Sequence, residues 1–135
     1  MEYNPNQIKI EKVLALKPFD RYQYTIKEVA DKEVADFELI YTLAHEDGTW
    51  ALAEVEGKTI VSLWPAAAYA QANATDVWAD YKPLAISLDE LLSTRLKSFE
   101  ENGFLINVFS KLGKTGFIVS SDEFRADLEE ELENY

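Results

Sequence analysis

The chain contains no cysteine in its 135 residues, which removes disulfides, thiol nucleophiles and cysteine-based zinc sites. It has a single histidine, His45, so no metal site can be built from two histidines and a histidine-based triad is hard to assemble. Long apolar runs are also missing. The longest, residues 60–70, is broken by Ser62 and Pro65 and falls short of the ~20 apolar residues that a bilayer-spanning helix needs. Residues 1–5 carry neither the basic start nor the apolar run of a secretory signal. A soluble cytoplasmic protein without a membrane partner is the expectation.

Basic residues are scarce. Thirteen Lys and Arg face 25 Asp and Glu, for a net charge of -12. Nucleic-acid affinity rests on neutralising phosphates with Lys and Arg, so nucleic acid is not an expected partner, and anionic membrane surfaces are disfavoured equally. An acidic surface keeps a domain soluble or meets a basic protein.

The length suits one domain, residues 1–135, burying roughly 68% of its unfolded surface. Residues 4–33 read as an N-terminal helical pair and 36–135 as an α/β core. Asn4, Pro5 and Gln7 form a helix start, Ile10, Val13 and Leu14 an apolar stripe, and Lys17-Pro18 a stop. A second helix takes Asp20 as its N-cap, with Phe19 and Tyr24 as a hydrophobic staple. Phe19, Tyr22, Ile26 and Val29 make its buried face, from which Arg21, Lys27 and Glu28 fall away. The segment 31–36 reads as a last turn or a loop.

From Phe37 the period changes to two. Phe37, Leu39, Tyr41 and Leu43 alternate with Glu38, Ile40 and Thr42, as in a half-buried strand. Turns at Asp47-Gly48 and Glu56-Gly57 then predict a three-strand antiparallel meander. Its third strand, residues 59–64, is apolar on both faces apart from Ser62, the pattern of a strand covered on both sides. A short helix opens at Pro65, Trp78 falls in the loop beyond it, and residues 83–86 form a strand. Ser87 with Glu90 and Ser120 with Glu123 are capping boxes, and Asn102-Gly103 is a helix C-cap. Residues 104–109 and 117–119 form a hairpin. The last helix turns Phe124, Leu128, Leu132 and Tyr135 inward and mostly covers its outside with Glu129, Glu130, Glu131 and Glu133. The fold class is α+β, in the order α-α-β-β-β-α-β-α-β-β-α. About six strands form one mixed sheet with helices packed on it, and two links are long enough for parallel crossovers.

Catalytic motifs are incomplete. Gly57-Lys58-Thr59 and Gly113-Lys114-Thr115 imitate the end of a phosphate-binding loop, but Leu52 and Val108 stand where its first glycine belongs, and both triplets precede strands. His45 beside Glu46-Asp47-Gly48 reads as a turn residue. Asp31, Glu33 and Asp36 lack calcium-loop spacing. No catalytic residue, metal ligand or cofactor is assigned. Aromatics are plentiful, and Tyr22, Tyr24, Trp64, Tyr69 and Trp78 read either as core packing or as a shallow mouth where strand meets helix. With Arg21 or Lys27 on its rim, the candidate ligand- or partner-binding set is Arg21, Tyr24, Lys27, Trp64, Tyr69 and Trp78.

The motif Arg21-Tyr22-x-Tyr24-x-Ile26-Lys27-x-Val29-Ala30-Asp31, then Trp64-Pro65-x-x-x-Tyr69-Ala70, Trp78 and Ile86-x-Leu88 before a Leu-rich helix, resembles the uncharacterised bacterial family designated domain of unknown function 2750. The Leu- and Glu-rich last helix is similar too, so the resemblance covers roughly residues 20–135. The chain departs from it at Phe37, where the family tends to carry a Trp. The element order is loosely similar to the N-terminal module of the SseB serine-sensitivity proteins. Neither resemblance implies an activity. The expected function is a non-enzymatic binding or regulatory module using the Trp64/Tyr69 mouth on an unidentified protein or small ligand. Two alternatives are a small enzyme with carboxylate or tyrosine acid–base chemistry in that pocket, and an acidic module that neutralises a basic protein.

Overall fold

The computed structural model describes residues 7–30, 39–111 and 116–133, with side chains from residue 11 onward. The expected helix start at Asn4-Pro5, the segment 31–36, Phe37, the Gly113-Lys114-Thr115 triplet and Tyr135 lie outside the described residues.

Helices α1 (Gln7–Leu14) and α2 (Pro18–Ala30) form the N-terminal pair. α2 starts two residues before the expected Asp20 cap, because Pro18 suits a first helical turn and the Arg21 amide already donates to the Lys17 carbonyl at 2.9 Å. Tyr22, Ile26 and Val29 are buried as the periodicity predicts, but Phe19 is 48% exposed and Arg21 is buried. Phe19 stacks on Tyr22 at 6.3 Å and meets Phe117 edge-on at 5.1 Å, so no Phe19–Tyr24 staple is needed to hold the entry.

Six strands follow: β1 (Leu39–Ala44), β2 (Leu52–Val55), β3 (Lys58–Leu63), β4 (Lys82–Ser87), β5 (Leu105–Val108) and β6 (Phe117–Val119). They make two sheets. One has the order β2-β3-β5-β6, with β3 and β5 parallel and the other pairs antiparallel. The second is the antiparallel pair β1-β4. The expected single sheet and three-strand meander are therefore corrected. β1 meets its meander neighbours only at isolated bridges, Ala44 to Trp50 and Tyr41 to Trp64. Instead β1 pairs along its whole length with β4, from Leu39–Ser87 to Ala44–Lys82, and both of its faces are covered, with Ile40, Tyr41, Thr42 and Leu43 all buried. Its polar member is satisfied by the other sheet, since Thr42 Oγ1 donates to the Ser62 carbonyl of β3 at 2.9 Å.

β3 is interior and apolar as expected, with Ile60 through Trp64 all buried. The two expected crossovers become one. The chain leaves β3, passes through α3 (Ala67–Ala72), a 3₁₀ turn (Asp76–Trp78), β4 and helix α4 (residues 88–101), and returns parallel in β5. α4 contains a π-type turn at Leu91–Arg95, which places Glu90 and Arg95, five residues apart, in an ion pair of 2.6 Å. The Arg95 guanidinium covers the Trp50 ring at 4.9 Å. α5 (Ser121–Leu132) closes the fold, packing on α2, on β5 and on the end of α4. Among the described residues no helix is long and apolar enough to cross a membrane.

Turn and cap chemistry behaves as the residue types require. Glu56 and Gly57 both have positive φ, 51° and 79°, as a type I′ hairpin demands. Gly103 has φ +71°, and the Phe104 amide reaches back to the Phe99 carbonyl at 2.9 Å, which is a Schellman closure. The Ser87 and Ser120 hydroxyls accept from the Glu90 and Glu123 amides, each at 3.1 Å. The Glu90 carboxylate accepts from Arg95 Nε at 2.6 Å.

The β5–β6 hairpin is tied by Gly116, whose amide donates to Asn107 Oδ1 at 2.9 Å. A Cβ there would stand 2.7 Å from the Ser110 nitrogen and closer still to the Val108 carbonyl. Gly116→Ala is expected to cost about 1–3 kcal/mol, the usual range for overpacking, measured as a lower urea midpoint at unchanged slope.

Candidate functional site

Four of the six candidate residues converge on one point just beyond β5. Phe109 has φ +56°, a left-handed conformation that a bulky side chain adopts only when its surroundings enforce it. Its amide continues the parallel ladder to the Leu63 carbonyl at 2.8 Å. The left-handed residue then turns the next two carbonyls inward, where they require donors. Arg21 Nε donates to the Phe109 carbonyl at 3.0 Å, Trp64 Nε1 to the Ser110 carbonyl at 2.8 Å, and Asn73 Nδ2 to the same carbonyl at 3.2 Å. Asn73 Nδ2 also reaches the Tyr69 carbonyl at 2.9 Å, so the end of α3 is pinned to the same knot.

Rings close around the Phe109 side chain. Tyr69 lies 4.6 Å away, Tyr24 6.3 Å, and the Arg21 guanidinium 5.9 Å from the ring centre. Arg21 Nη1 donates to the Leu16 carbonyl, and Lys111 Nζ to the Leu14 carbonyl at 3.1 Å. The turn between α1 and α2 is thus fastened to the end of β5. Burial pulls the Arg21 pKa below its ordinary value, and carbonyl acceptors together with the Phe109 ring hold the cation in place.

The knot is sealed. Trp64 and Phe109 have no exposed surface, Tyr69 retains 1% and Arg21 2%. Trp64, Tyr69 and Arg21 therefore offer a ligand nothing to touch in the folded chain, and the strand-to-helix mouth is filled by Phe109. Tyr24 is half-buried at its margin. Trp78 stands apart, half-buried against the core in the 3₁₀ turn after α3. Lys27 is exposed on the outer side of α2.

Lys27 instead lines an open cleft of about 250 Å³ between α2 and α5. Phe19, Tyr22 and Ile26 supply its apolar floor, Gln23 and Lys27 the α2 wall, and Asp127, Glu130 and Glu131 the α5 wall. The Tyr22 hydroxyl crosses its base and donates to Asp127 Oδ2. Burial, that hydrogen bond and the nearby Asp127 and Glu123 charges push the Tyr22 pKa well above its ordinary 10.0.

A second cavity of about 250 Å³ lies at the open end of β1 and β4 and includes His45, Glu46, Asp80 and Lys82. There the Thr49 amide donates to Asp47 Oδ1 at 2.8 Å, holding that carboxyl below its ordinary range, and His45 Nδ1 sits 3.4 Å from the same oxygen. These contacts build the Asp47-Gly48 turn. Among the described residues no group of three or more acidic or histidine side chains converges to hold a metal.

Fold and site together define a small acidic α+β domain of two sheets, locked by a sealed aromatic knot and carrying an open interhelical cleft. The chain belongs to the family described as "Protein of unknown function (DUF2750)", whose match covers residues 22–128. No curated protein matches it. The matched span takes in Trp64, Tyr69, Asn73 and Phe109 of the knot and both Tyr22 and Asp127 of the cleft, whereas Arg21 lies one residue before it.

Residue type concealed several of these roles. Phe109 reads as the end of an apolar strand, and nothing in Phe itself announces positive φ. Asn73 reads as a helix breaker, and it does end α3, but its amide group works at a carbonyl 37 positions away. Asp127 differs in no local way from the other acids of α5. The pairing with Tyr22 spans 105 positions.

Trp64→Phe removes one donor from the Ser110 carbonyl, and a loss of about 1–3 kcal/mol is expected in urea unfolding. The Tyr22 phenol has a raised pKa, so its contribution is complete below the unfolded value near 10 and is lost as pH rises above it. Tyr22→Phe is accordingly expected to cost about 1–3 kcal/mol at neutral pH, and the gap to the parent chain to narrow above pH 10 in alkaline unfolding curves.

Proposed function

We propose that this domain is a non-enzymatic binding module that engages a protein partner through the cleft between α2 and α5. One observation carries the reading: Phe19 is 48% exposed in the lining of a preformed cleft, while the other aromatics singled out in the sequence are mostly spent on the interior. A large apolar side chain on a concave, polar-rimmed surface is a common anchor point for a partner. The scale fits as well. The cleft is smaller than the roughly 300–1,000 Å³ typical of drug-sized ligand sites, so it suits one side chain of a larger partner better than a whole small molecule.

An acid–base role for the Tyr22–Asp127 pair is disfavoured on physical grounds. A catalytic acid or base works best with a pKa near the operating pH, and the Tyr22 phenol is pushed further from neutrality. The pair serves instead as a rigid floor joining the two walls.

The test is site-specific photo-crosslinking in extracts of the native cell, with a benzophenone side chain at position 19 or at position 77. Val77, at 86% exposed, is an apolar control far from the cleft in sequence. A discrete crosslinked partner is expected from position 19, absent from position 77 and abolished by Gln23→Trp, which fills the cleft from an exposed position, in chains that still melt cooperatively. The same products from both positions would count against the cleft.

A further inference from the structure

We infer that the occupant of the α2–α5 cleft is an arginine side chain presented by a basic segment of a protein partner. The inference rests on the cleft being the binding surface, and adds which chemistry fills it.

Charge complementarity is the first argument. The walls carry three carboxylates, Asp127, Glu130 and Glu131, against one ammonium, Lys27. The three acids fall at i, i+3 and i+4 of α5 and share one helix face, where like charges repel one another. The ion pair within α5 does not relieve them, because Arg125 turns to Glu129 at 3.6 Å. A cation entering from outside would therefore meet unbalanced negative charge.

The floor narrows the class of cation. Phe19, 48% exposed and stacked at 6.3 Å on the buried Tyr22, presents the open aromatic surface in the same cleft as the carboxylates. A guanidinium is planar, weakly hydrated and able to lie on an aromatic face while forking two N–H groups to a carboxylate. A lysine ammonium is a compact, strongly hydrated point charge and uses such a floor less well. The apolar stem of an arginine can lie along Phe19 while its head meets the acids. An acidic or purely aliphatic side chain satisfies only one of the two surfaces.

The experiment titrates the isotope-labelled full chain with four blocked pentapeptides of Gly and Ser that differ at the central residue: Arg, Lys, citrulline or Leu. Backbone amide shifts are the readout. Saturable shifts confined to α2 and α5 are expected with the Arg peptide, with affinity roughly tenfold weaker for citrulline. The Arg affinity should fall as salt is raised from about 0.05 to about 0.5 M and in the Glu130→Gln/Glu131→Gln double variant, whose dispersed spectrum reports an intact fold. Equal binding of Lys and Arg overturns the guanidinium assignment. Equal or tighter binding of citrulline or Leu overturns the cation altogether, yet leaves the cleft as a binding surface. No saturable shift in α2 or α5 with any peptide overturns both readings.

Discussion

The Phe109 and Ser110 carbonyls are the constraint on which the rest of this structure depends. A left-handed, fully buried phenylalanine costs about 1–3 kcal/mol of backbone strain, and leaving two buried carbonyls without donors would add about 1–3 kcal/mol each. Arg21, Trp64 and Asn73 offset those costs. Because these three donors come from α2, the end of β3 and the end of α3, satisfying two adjacent carbonyls fixes three distant segments against β5. Phe109 then serves as the plug around which Tyr24 and Tyr69 close.

That arrangement separates the inside of the molecule from the open cleft between α2 and α5. α2 contributes to both. Its inner side sends Arg21 into the knot, while Tyr22, Gln23, Ile26 and Lys27 face the cleft against α5. A rotation of α2 that opened the cleft would pull Arg21 from the Phe109 carbonyl, so the cleft is held in shape from beneath. Preorganisation of this kind would lower the cost of the binding proposed for the cleft, since neither wall would have to be ordered first. Three of the chain's carboxylates, Asp127, Glu130 and Glu131, are concentrated on one wall of that cleft.

Local chemistry made much of the fold legible. The turns at Asp47-Gly48 and Glu56-Gly57, the caps at Ser87, Ser120 and Gly103, the buried third strand and the apolar face of α5 are short-range features, set by φ preferences, side-chain oxygens and periodicity over a few residues. Sheet membership was not legible. β1 alternates on paper, yet it is buried on both faces, because Ile40 and Thr42, read as outward, find cover and a hydrogen-bond acceptor in segments far along the chain. Arg21 was read as pointing outward for the same reason: a guanidinium belongs in solvent unless specific carbonyls await it, and those carbonyls lie 88 residues away and close by at Leu16.

By itself the sequence determined the α+β class, the succession of elements and the acidic character. Only the tertiary structure decided that Arg21, Tyr24, Trp64 and Tyr69 gather in an interior knot, that two sheets replace one, and that an open cleft lies between the second and last helices. The physical reason is range. Propensity, capping and periodicity act within a turn or a strand, whereas which face is covered and which carbonyl is capped depend on contacts between segments brought together by folding.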